Sequence, residues 1–181
     1  MEVSSIHGRF QPFHRGHLEY ALAALDRSDR IIIGITQHNN ESLRWSALDV
    51  AKHRSEPEAN PFSYVERIEI IEAALTSEGI DKSRFSFIPF PIETPNELSQ
   101  YLHRDVIVYT TVYDEWNESK INLLRREGYN VEILWKRSSK DFEGKQVRRL
   151  ITEGRPEWRS MVPEGAIPII EKLWLSKQTN I

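Results

Sequence analysis

Two histidines close to the N-terminus, His14 and His17, have the type and the spacing to handle phosphate groups. Residues three apart share one face of a helix, and apolar residues recur at helical spacing from Leu18 to Leu25, so we expect a helix that begins near Gly16. The first amide groups of a helix have no intrahelical acceptor and form a positive end that binds anions. Two imidazole rings at such a helix start predict a site for phosphate chemistry.

The residues before the histidines predict the strand and the turn that position this helix start. Residues 3–6 are a short apolar run, which is typical of a strand. Gly8 lets the backbone approach a ligand closely, and Pro12 fixes a rigid corner. Arg9 and Arg15 add positive charge nearby in sequence. The stretch therefore predicts a strand, a turn and a helix arranged around an anion.

A second strand follows this helix after a polar turn. Residues 30–36 are expected to form it, because they contain a continuous apolar run over residues 31–35, as in a strand that is covered on both faces. Strand, helix and strand in this order form a βαβ unit with a right-handed crossover, which predicts a parallel sheet. Ligands bind such sheets at the carboxyl ends of the strands, where Gly8 and Arg9 lie after one strand and Gln37 and His38 after the next.

Strands and helices alternate over the rest of the chain. We expect strands over residues 84–90, 105–109 and 130–135, helices over residues 118–127 and 166–175, and a short helix capped by Asn96. This alternation predicts an α/β fold with a Rossmann-like, doubly wound, five-stranded parallel sheet and flanking helices. A single domain over residues 1–181, with a C-terminal helical tail from about residue 155, is expected for a chain of this length.

The composition is typical of a soluble globular protein. The 181 residues are 39% hydrophobic and 28% charged, with a net charge of −3 and no cysteine. Such a charge gives no basic field, so we expect no nucleic-acid partner. No apolar run approaches the roughly 20 residues of a membrane span, and no signal-peptide pattern is present, so we expect no membrane partner and a cytoplasmic protein.

Simpler interpretations of these residues are also open. Two histidines at a helix start are often capping or surface residues. A zinc site is a weaker alternative, because the chain has no cysteine and no third ligand at metal spacing. The long polar segment over residues 39–59 is equally well interpreted as a flap over the site or as a solvated insertion.

The stretch Gly8-Arg9-Phe10-Gln11-Pro12-Phe13-His14-Arg15-Gly16-His17 resembles the signature of the nucleotidylyltransferase superfamily, in which two histidines flank any residue and a glycine. Its first half resembles the archaeal-type nicotinamide mononucleotide (NMN) adenylyltransferases. The resemblance implies that His14 and His17 are catalytic. It implies that the nucleotide is held by further residues of this stretch, namely Gly8, Arg9, Phe10, Gln11 and Gly16.

A second stretch, residues 60–68, resembles the same family where a helix start shapes the nucleotide pocket. Ser63 and Glu66 have capping-box spacing, Gly79 ends the helix, and its buried stripe is expected at Val65, Ile68, Ile71, Ala74 and Leu75. The resemblance implies a substrate contact for Arg67, although Glu66 and Arg67 also fit a solvated pair.

The acceptor region departs from relatives that make NAD. Asn96 matches an asparagine that those enzymes use for the substrate. Ser99 stands where they carry a tryptophan that stacks on nicotinamide. Trp116 is a candidate replacement for that aromatic ring, although an aromatic near a helix start is more often a core residue.

A third stretch, residues 142–151, resembles the second phosphate motif of the family. Gly144 and Arg148 are in register with it, whereas Glu143 and Lys145 replace the usual serine and threonine. The resemblance implies that Arg148 is catalytic and that Lys145 and Arg137 bind phosphate. A solvated face is the plainer interpretation of these charges.

The resemblance implies transfer of a nucleoside monophosphate from a nucleoside triphosphate, ATP in the first place, to a small phosphorylated acceptor, with release of pyrophosphate. Mg²⁺ is expected to arrive with the triphosphate and to have no protein cage. NMN is the first choice of acceptor, giving NAD. Two alternatives stay open: cytidylyl or adenylyl transfer to another phosphorylated metabolite, and a nucleotide-binding sensor with weakened catalysis. The resemblance also leaves a homo-oligomer open.

Overall fold

The computed structural model describes residues 1–39 and 57–178. Residues 40–56 lie outside the described residues, and with them most of the segment interpreted as a flap or an insertion. The strands and α-helices in the described part are β1 (Val3–Gly8), α1 (Arg15–Leu25), β2 (Arg30–Ile35), α2 (Tyr64–Ser77), β3 (Phe85–Pro89), β4 (Ile107–Val112), α3 (Glu115–Arg126), β5 (Val131–Lys136), α4 (Gly144–Thr152) and α5 (Ile167–Gln178).

The five strands form one sheet in the order β3-β2-β1-β4-β5, and every neighbouring pair is parallel. The strand order therefore reverses at β1, as in a doubly wound sheet. The predicted α/β, Rossmann-like sheet is confirmed.

The described chain divides into two compact units. The sheet unit comprises Met1–Arg9, Glu19–Gln37 and Lys82–Asp141; the helical unit comprises Phe10–Leu18, His38–Asp81 and Phe142–Ile181. The single domain over residues 1–181 stays a prediction.

The sheet unit forms around buried strands. Ile31, Ile33 and Ile35 are fully buried in β2, and this burial explains the continuous apolar run in the sequence. Around β4, Val108 and Val112 pack with Ile121 and Leu124 of α3 and with the segments after β3 in one apolar cluster. Burial of these side chains stabilises the sheet unit.

Several boundaries in the sheet unit differ from the sequence prediction by one or two residues, and two differ by three. β4 runs to Val112, beyond the predicted end at residue 109, because β-branched Thr110 and Thr111 continue the pairing with β5 across a register shift. α3 begins at Glu115, before the predicted start at residue 118, because the Asp114 side chain accepts a hydrogen bond from the Asn117 amide and caps the helix.

The predicted cap at Asn96 is wrong. Residues Pro95–Gln100 form a 3₁₀ helix whose N-cap is Thr94, and the Thr94 side chain makes no capping hydrogen bond. Proline at the first helical position fixes the backbone there without a cap. Asn96 and Ser99 are exposed residues of this turn.

The helical unit contains α2 with the predicted capping box. The Ser63 hydroxyl accepts from the Glu66 amide, and the Glu66 carboxylate accepts from the Ser63 amide. Gly79 follows the helix with φ 79°. The buried stripe was partly mispredicted: Val65 is 61% exposed, whereas Arg67 and Ile70 are buried. The periodicity of apolar residues alone does not predict that an arginine is buried.

α5 packs against α2 in the helical unit. The rings of Phe62 and Trp174 lie 6.1 Å apart, and Lys177 bonds both carboxylate oxygens of Glu66 at 2.7 and 2.9 Å. The last helix, predicted over residues 166–175, is present as α5, which extends to Gln178, and Pro156–Met161 forms a 3₁₀ helix. Within the described ranges, the structure contains no helix with the length and apolarity needed to cross a membrane.

Candidate active site

The two histidines of the first motif lie against each other at the start of α1. The rings of His14 and His17 stack with centroids 3.6 Å apart and an angle of 18° between their planes. The His14 carbonyl accepts hydrogen bonds from the amides of His17 and Leu18, at 2.9 and 3.0 Å, and so begins the helix. His14 is buried and His17 half-buried. The predicted pairing of two imidazoles at a helix start is therefore present.

A main-chain hydrogen bond selects the tautomer of His17. The His14 amide donates to Nδ1 of His17 at 3.3 Å, so Nδ1 acts as an acceptor. A neutral imidazole whose Nδ1 accepts carries its proton on Nε2. In that tautomer Nε2–H is a hydrogen-bond donor.

Two aromatic rings hold His17 in place. Phe10 meets it edge-on with centroids 4.9 Å apart, and Phe13 lies 5.6 Å away. Both phenylalanines are buried. Phe10 has a φ of 53°, a left-handed conformation that is rare for a bulky residue and is found mostly where function requires it. The predicted nucleotide contact of Phe10 stays a prediction, and the structure shows its packing on His17.

The turn before α1 is fixed by Gln11. Its side-chain amide donates to the Phe62 carbonyl at 2.8 Å and accepts from the Phe62 amide at 3.0 Å. The Gln11–Pro12 peptide bond is cis. Gln11 is 2% exposed. Its side chain thus joins the first motif to the start of the second stretch, residues 60–68.

Arg148 joins the first motif to the third stretch. Its guanidinium donates to the Gln11 carbonyl, and the residue is 9% exposed. A Cβ at Gly144 would lie 2.9 Å from this same carbonyl oxygen and 3.2 Å from Arg148, so only glycine permits the approach. The structure therefore brings Gly144 and Arg148 together with the first motif, as the resemblance implied.

At Gly16 a side chain would also be crowded. A Cβ there would lie 3.1 Å from the His14 ring. Arg15, between the two histidines, is exposed and donates from Nε to the Ser160 carbonyl at 2.8 Å. In the pattern His, any residue, Gly, His, the glycine thus leaves room for the ring of the first histidine.

Two arginines of the helical unit, Arg67 and Arg148, are buried. Arg67 is 0% exposed and donates from Nε to the Ser63 carbonyl at 3.3 Å; burial lowers its pKa to about 10, and Tyr64 partly opposes this. Burial also lowers the pKa of Arg148. Both groups keep their charge at neutral pH. The interpretation of Glu66 and Arg67 as a solvated pair is wrong, because Glu66 instead pairs with Lys177.

The substituted positions of the third stretch are exposed. Glu143 is the N-cap residue of α4, and its side chain makes no capping hydrogen bond. Lys145 lies in the first turn of α4 and is also exposed. Neither side chain is fixed by packing. Phosphate binding by Lys145 stays a prediction.

The other predicted residues belong to the sheet unit. Gly8 ends β1, and Arg9 follows it. Arg137 forms a two-point pair with Glu19 at 2.7 and 2.9 Å and lies 4.5 Å from the Trp135 ring. This pair lowers the pKa of Glu19, chiefly through the hydrogen bonds. Asn96 is exposed, and Trp116 is 45% exposed, so Trp116 is not a core residue. The substrate and nucleotide contacts assigned to these residues stay predictions.

Among residues 1–39 and 57–178, no three His, Cys, Asp or Glu side chains are grouped to hold a metal ion. The donors at the first motif are instead imidazole, guanidinium and main-chain amide groups. The N–H groups of these donors can form hydrogen bonds with phosphate oxygens.

Sequence comparison identifies the family. Residues 6–152 match the cytidylyltransferase-like family of the nucleotidylyltransferase superfamily. The chain belongs to this family. It is therefore a nucleotidyltransferase, as the first motif implied.

Named relatives fall into two groups. The chain is 36% identical over 173 residues to a phosphonoformate cytidylyltransferase of Streptomyces viridochromogenes, covering 96% of this chain and 92% of the relative. It is 30% identical over 158 residues to a nicotinamide-nucleotide adenylyltransferase of Saccharolobus solfataricus, covering 87% and 83%.

A solved structure shares the fold of this nucleotidyltransferase. A bifunctional NMN adenylyltransferase/ADP ribose pyrophosphatase from Francisella tularensis superposes with a TM-score of 0.62 at 18% identity, over 94% of the present chain. The chain spans half the length of that protein. This likeness supports the fold.

Proposed function

We propose that this nucleotidyltransferase moves the cytidylyl group of CTP to a small acid that bears a phosphonate or phosphate group, with phosphonoformate as the first candidate. The observation that carries the proposal is the 36% identity to a phosphonoformate cytidylyltransferase, which extends over almost the whole of both chains. The sequence-based first choice, NMN, becomes the second candidate.

The acceptor region supports a small acceptor. Ser99, which stands where NAD-forming relatives carry a tryptophan, is exposed on the turn Pro95–Gln100. A hydroxymethyl side chain offers no surface for stacking a nicotinamide ring. An acceptor without an aromatic ring needs no such surface.

The proposed reaction requires no protein nucleophile. An ionised phosphonate oxygen attacks the α-phosphorus of CTP, a new P–O bond forms, and the bond from the α-phosphorus to the bridging oxygen breaks as pyrophosphate leaves. No proton is transferred, because the attacking oxygen is already anionic at neutral pH. Catalysis then rests on alignment and on stabilising the charge that develops at the α-phosphate.

The geometry of the first motif supports these roles. His17 presents Nε2–H as a donor because Nδ1 is engaged by the His14 amide. Arg148 supplies a buried positive charge at the same turn, held by the Gln11 carbonyl. We assign His17 to the α-phosphate and His14 and Arg148 to the phosphates of the triphosphate. Lys145 is assigned to the leaving pyrophosphate.

Mg²⁺ is proposed to bind the triphosphate rather than the protein. The donor groups at the first motif are nitrogen donors and cations, which suit phosphate oxygens, and Mg²⁺ prefers oxygen ligands. The bound ion would neutralise phosphate charge.

A panel of substrates tests the proposal. Pyrophosphate release is measured with CTP or ATP, each combined with phosphonoformate, NMN or no acceptor. We expect kcat/KM for CTP with phosphonoformate to exceed that for ATP with NMN by at least about tenfold. The His17→Ala variant, prepared identically, excludes a contaminating enzyme.

The other outcomes are equally informative. A preference for ATP with NMN would overturn the proposal and favour the second candidate, which the first motif and the archaeal relatives support. Binding of CTP with no pyrophosphate release from any acceptor in the panel would favour the nucleotide sensor.

A further inference from the structure

Three helix starts of the helical unit are connected at Gln11, which lies just before α1. The Gln11 carbonyl accepts a hydrogen bond from Arg148 of α4. Its side-chain amide forms two hydrogen bonds with the main chain of Phe62, before α2, at 2.8 and 3.0 Å. Gln11 is 2% exposed and Phe62 0% exposed. A buried contact at two points fixes both the distance and the rotation between two segments, so the turn that carries His14 depends on the position of the start of α2.

The start of α2 is held in turn by α5. Lys177 donates from Nζ to both carboxylate oxygens of Glu66, at 2.7 and 2.9 Å. The same carboxylate accepts from the amide of Ser63, the N-cap residue of α2, at 2.7 Å. The ring of Trp174, also on α5, lies 6.1 Å from the ring of Phe62. α5 therefore contacts both the cap of α2 and the residue that binds the Gln11 side chain.

Stability is a poor explanation for the pair between Lys177 and Glu66. The two side chains are 38% and 20% exposed. An ion pair with this exposure adds little to the free energy of unfolding, because solvent screens the charges and two long side chains must be ordered. The capping box needs only the glutamate, whose carboxylate accepts from the Ser63 amide. What the lysine adds is a fixed position of this cap relative to α5.

The connection from Lys177 to the first motif lies within one compact unit. Residues 10–18, 38–81 and 142–181 belong to the helical unit. Between Lys177 and Gln11 the connection consists of hydrogen bonds of 2.7–3.0 Å and the peptide bond from Phe62 to Ser63. A misplacement of reacting groups by about 1 Å can lower a rate by about 10²-fold. A contact that fixes the first motif can therefore change turnover without contacting the substrate.

We propose that Lys177 and Glu66 are positioning residues for the transfer reaction. They fix the start of α2 against α5 and thereby, through Gln11, the turn that carries His14. The inference rests on the proposed function only in assigning the reaction to the first motif, and it holds for CTP and for ATP alike. Lys177 lies outside residues 6–152, which match the family.

Substitutions of Lys177 test the charge of the pair. Lys177→Met removes the charge and keeps a long side chain, whereas Lys177→Arg keeps the charge. We expect Lys177→Met to lower kcat for pyrophosphate release from CTP with phosphonoformate by about tenfold and to change the KM for CTP less than about threefold, because positioning acts on the transition state. Lys177→Arg should keep kcat within about twofold of the wild type. A wild-type kcat in Lys177→Met would overturn the inference.

Glu171→Gln is the matched control on the same helix. The Glu171 carboxylate accepts two hydrogen bonds from Arg159, at 2.5 and 2.8 Å, and this pair joins α5 to the 3₁₀ helix Pro156–Met161 instead of to α2. We expect Glu171→Gln and Lys177→Met to lower the thermal midpoint by similarly small amounts, since both pairs are partly exposed. Only Lys177→Met should lower kcat. An equal loss of kcat in both variants would show a general effect of α5 and would overturn the inference.

A double-mutant cycle tests whether the effect passes through Gln11. Gln11→Met removes both side-chain hydrogen bonds to Phe62. If Lys177 acts through this contact, Lys177→Met lowers kcat by less than about twofold in the Gln11→Met background, because coupled sites are not additive. All four proteins are measured well below their thermal midpoints. Equal losses of kcat in the two backgrounds would overturn the proposed connection.

A measurement without turnover separates this inference from the proposed function. In nucleotide-free protein labelled with ¹⁵N-histidine, the ring signals of His14 and His17 are assigned with His14→Gln and His17→Gln. We expect these signals to move in Lys177→Met and to keep their wild-type positions in Glu171→Gln. Absence of pyrophosphate release from the wild type with every acceptor of the panel would refute the proposed function alone. Unmoved His14 and His17 signals in Lys177→Met would refute the inference, even if Gln11→Met failed to fold.

Discussion

In His17, one main-chain contact sets the tautomer of a side chain to which we assign a catalytic role. Because the His14 amide donates to Nδ1, the proton of a neutral His17 lies on Nε2. We expect His17→Ala to lower the turnover number by about 10²- to 10³-fold, the loss seen when one transition-state donor is removed. Steady-state pyrophosphate release measures this.

The comparison for that variant is His103→Ala, which alters an exposed histidine. Near-normal turnover in His17→Ala would show that the ring does not act on the α-phosphate.

His7 makes stability depend on pH. Burial of the ring lowers its pKa in the folded protein to about 3, against 6.5 for an ordinary histidine, so between these values the unfolded chain binds a proton that the folded chain does not. Stability is therefore fully present above pH 6.5 and is lost as the pH falls toward 3, by up to about 1.4 kcal/mol per pH unit. Urea unfolding of the wild type and of His7→Phe from pH 4 to 7 should show a shallower slope in the variant.

For this measurement His103→Phe is the control, and it should keep the wild-type slope. An identical slope in His7→Phe would show that His7 does not carry the pH dependence.

At the scale of elements, the start of α4 docks on the turn before α1. Gly144 permits this contact because any Cβ would press on the Gln11 carbonyl, 2.9 Å away, and on Arg148. We expect Gly144→Ala to destabilise the protein by about 1–3 kcal/mol, as overpacking does, and to raise the KM for the nucleotide. Thermal unfolding and pyrophosphate release measure the two effects.

Arg149→Ala provides the comparison on the same helix, because Arg149 is exposed and its pair with Glu153 is long, at 3.9 Å. Surface pairs of this kind contribute little. If Gly144→Ala left both the stability and the KM for the nucleotide unchanged, the close approach of Gly144 to the Gln11 carbonyl would not be needed for either.

At the scale of the whole molecule, the proposed Mg²⁺ belongs to the substrate. The described ranges contain no group of three His, Cys, Asp or Glu side chains suited to a metal. We expect EDTA to abolish pyrophosphate release and to leave the thermal midpoint of the nucleotide-free protein unchanged, because only the nucleotide loses its cation. Calorimetry with and without EDTA measures the midpoint, and added MgCl₂ should restore turnover. A lower midpoint in EDTA would indicate a metal held by the protein itself.

The net charge of −3 is also a property of the whole chain. Positive charge at the first motif is local, and the buried Arg148, which donates to the Gln11 carbonyl, contributes to it. The protein as a whole therefore does not attract polyanions electrostatically. Recognition of its substrates depends on a few side chains that packing holds in place. A cytoplasmic location and a homo-oligomeric state stay predictions.

The sequence by itself determined the parallel sheet, the capping box of α2 and the helix start that carries His14 and His17. These features depend on residues within one or two turns or strands of each other, so periodicity, capping residues and glycines reveal them. Where a local signal was weak, as at Thr110 and Asp114, the predicted boundary was wrong, because strand pairing and a side-chain cap decided it.

Only the tertiary structure decided which distant residues meet. Arg148 reaches the Gln11 carbonyl across 137 residues of sequence, and Gln11 reaches Phe62 across 51. The burial of Arg67 and the stacking of His7 on Phe90 follow in the same way from packing. The local sequence specifies each element, whereas the cost of burying a charge or a ring nitrogen arises only once the elements have packed together.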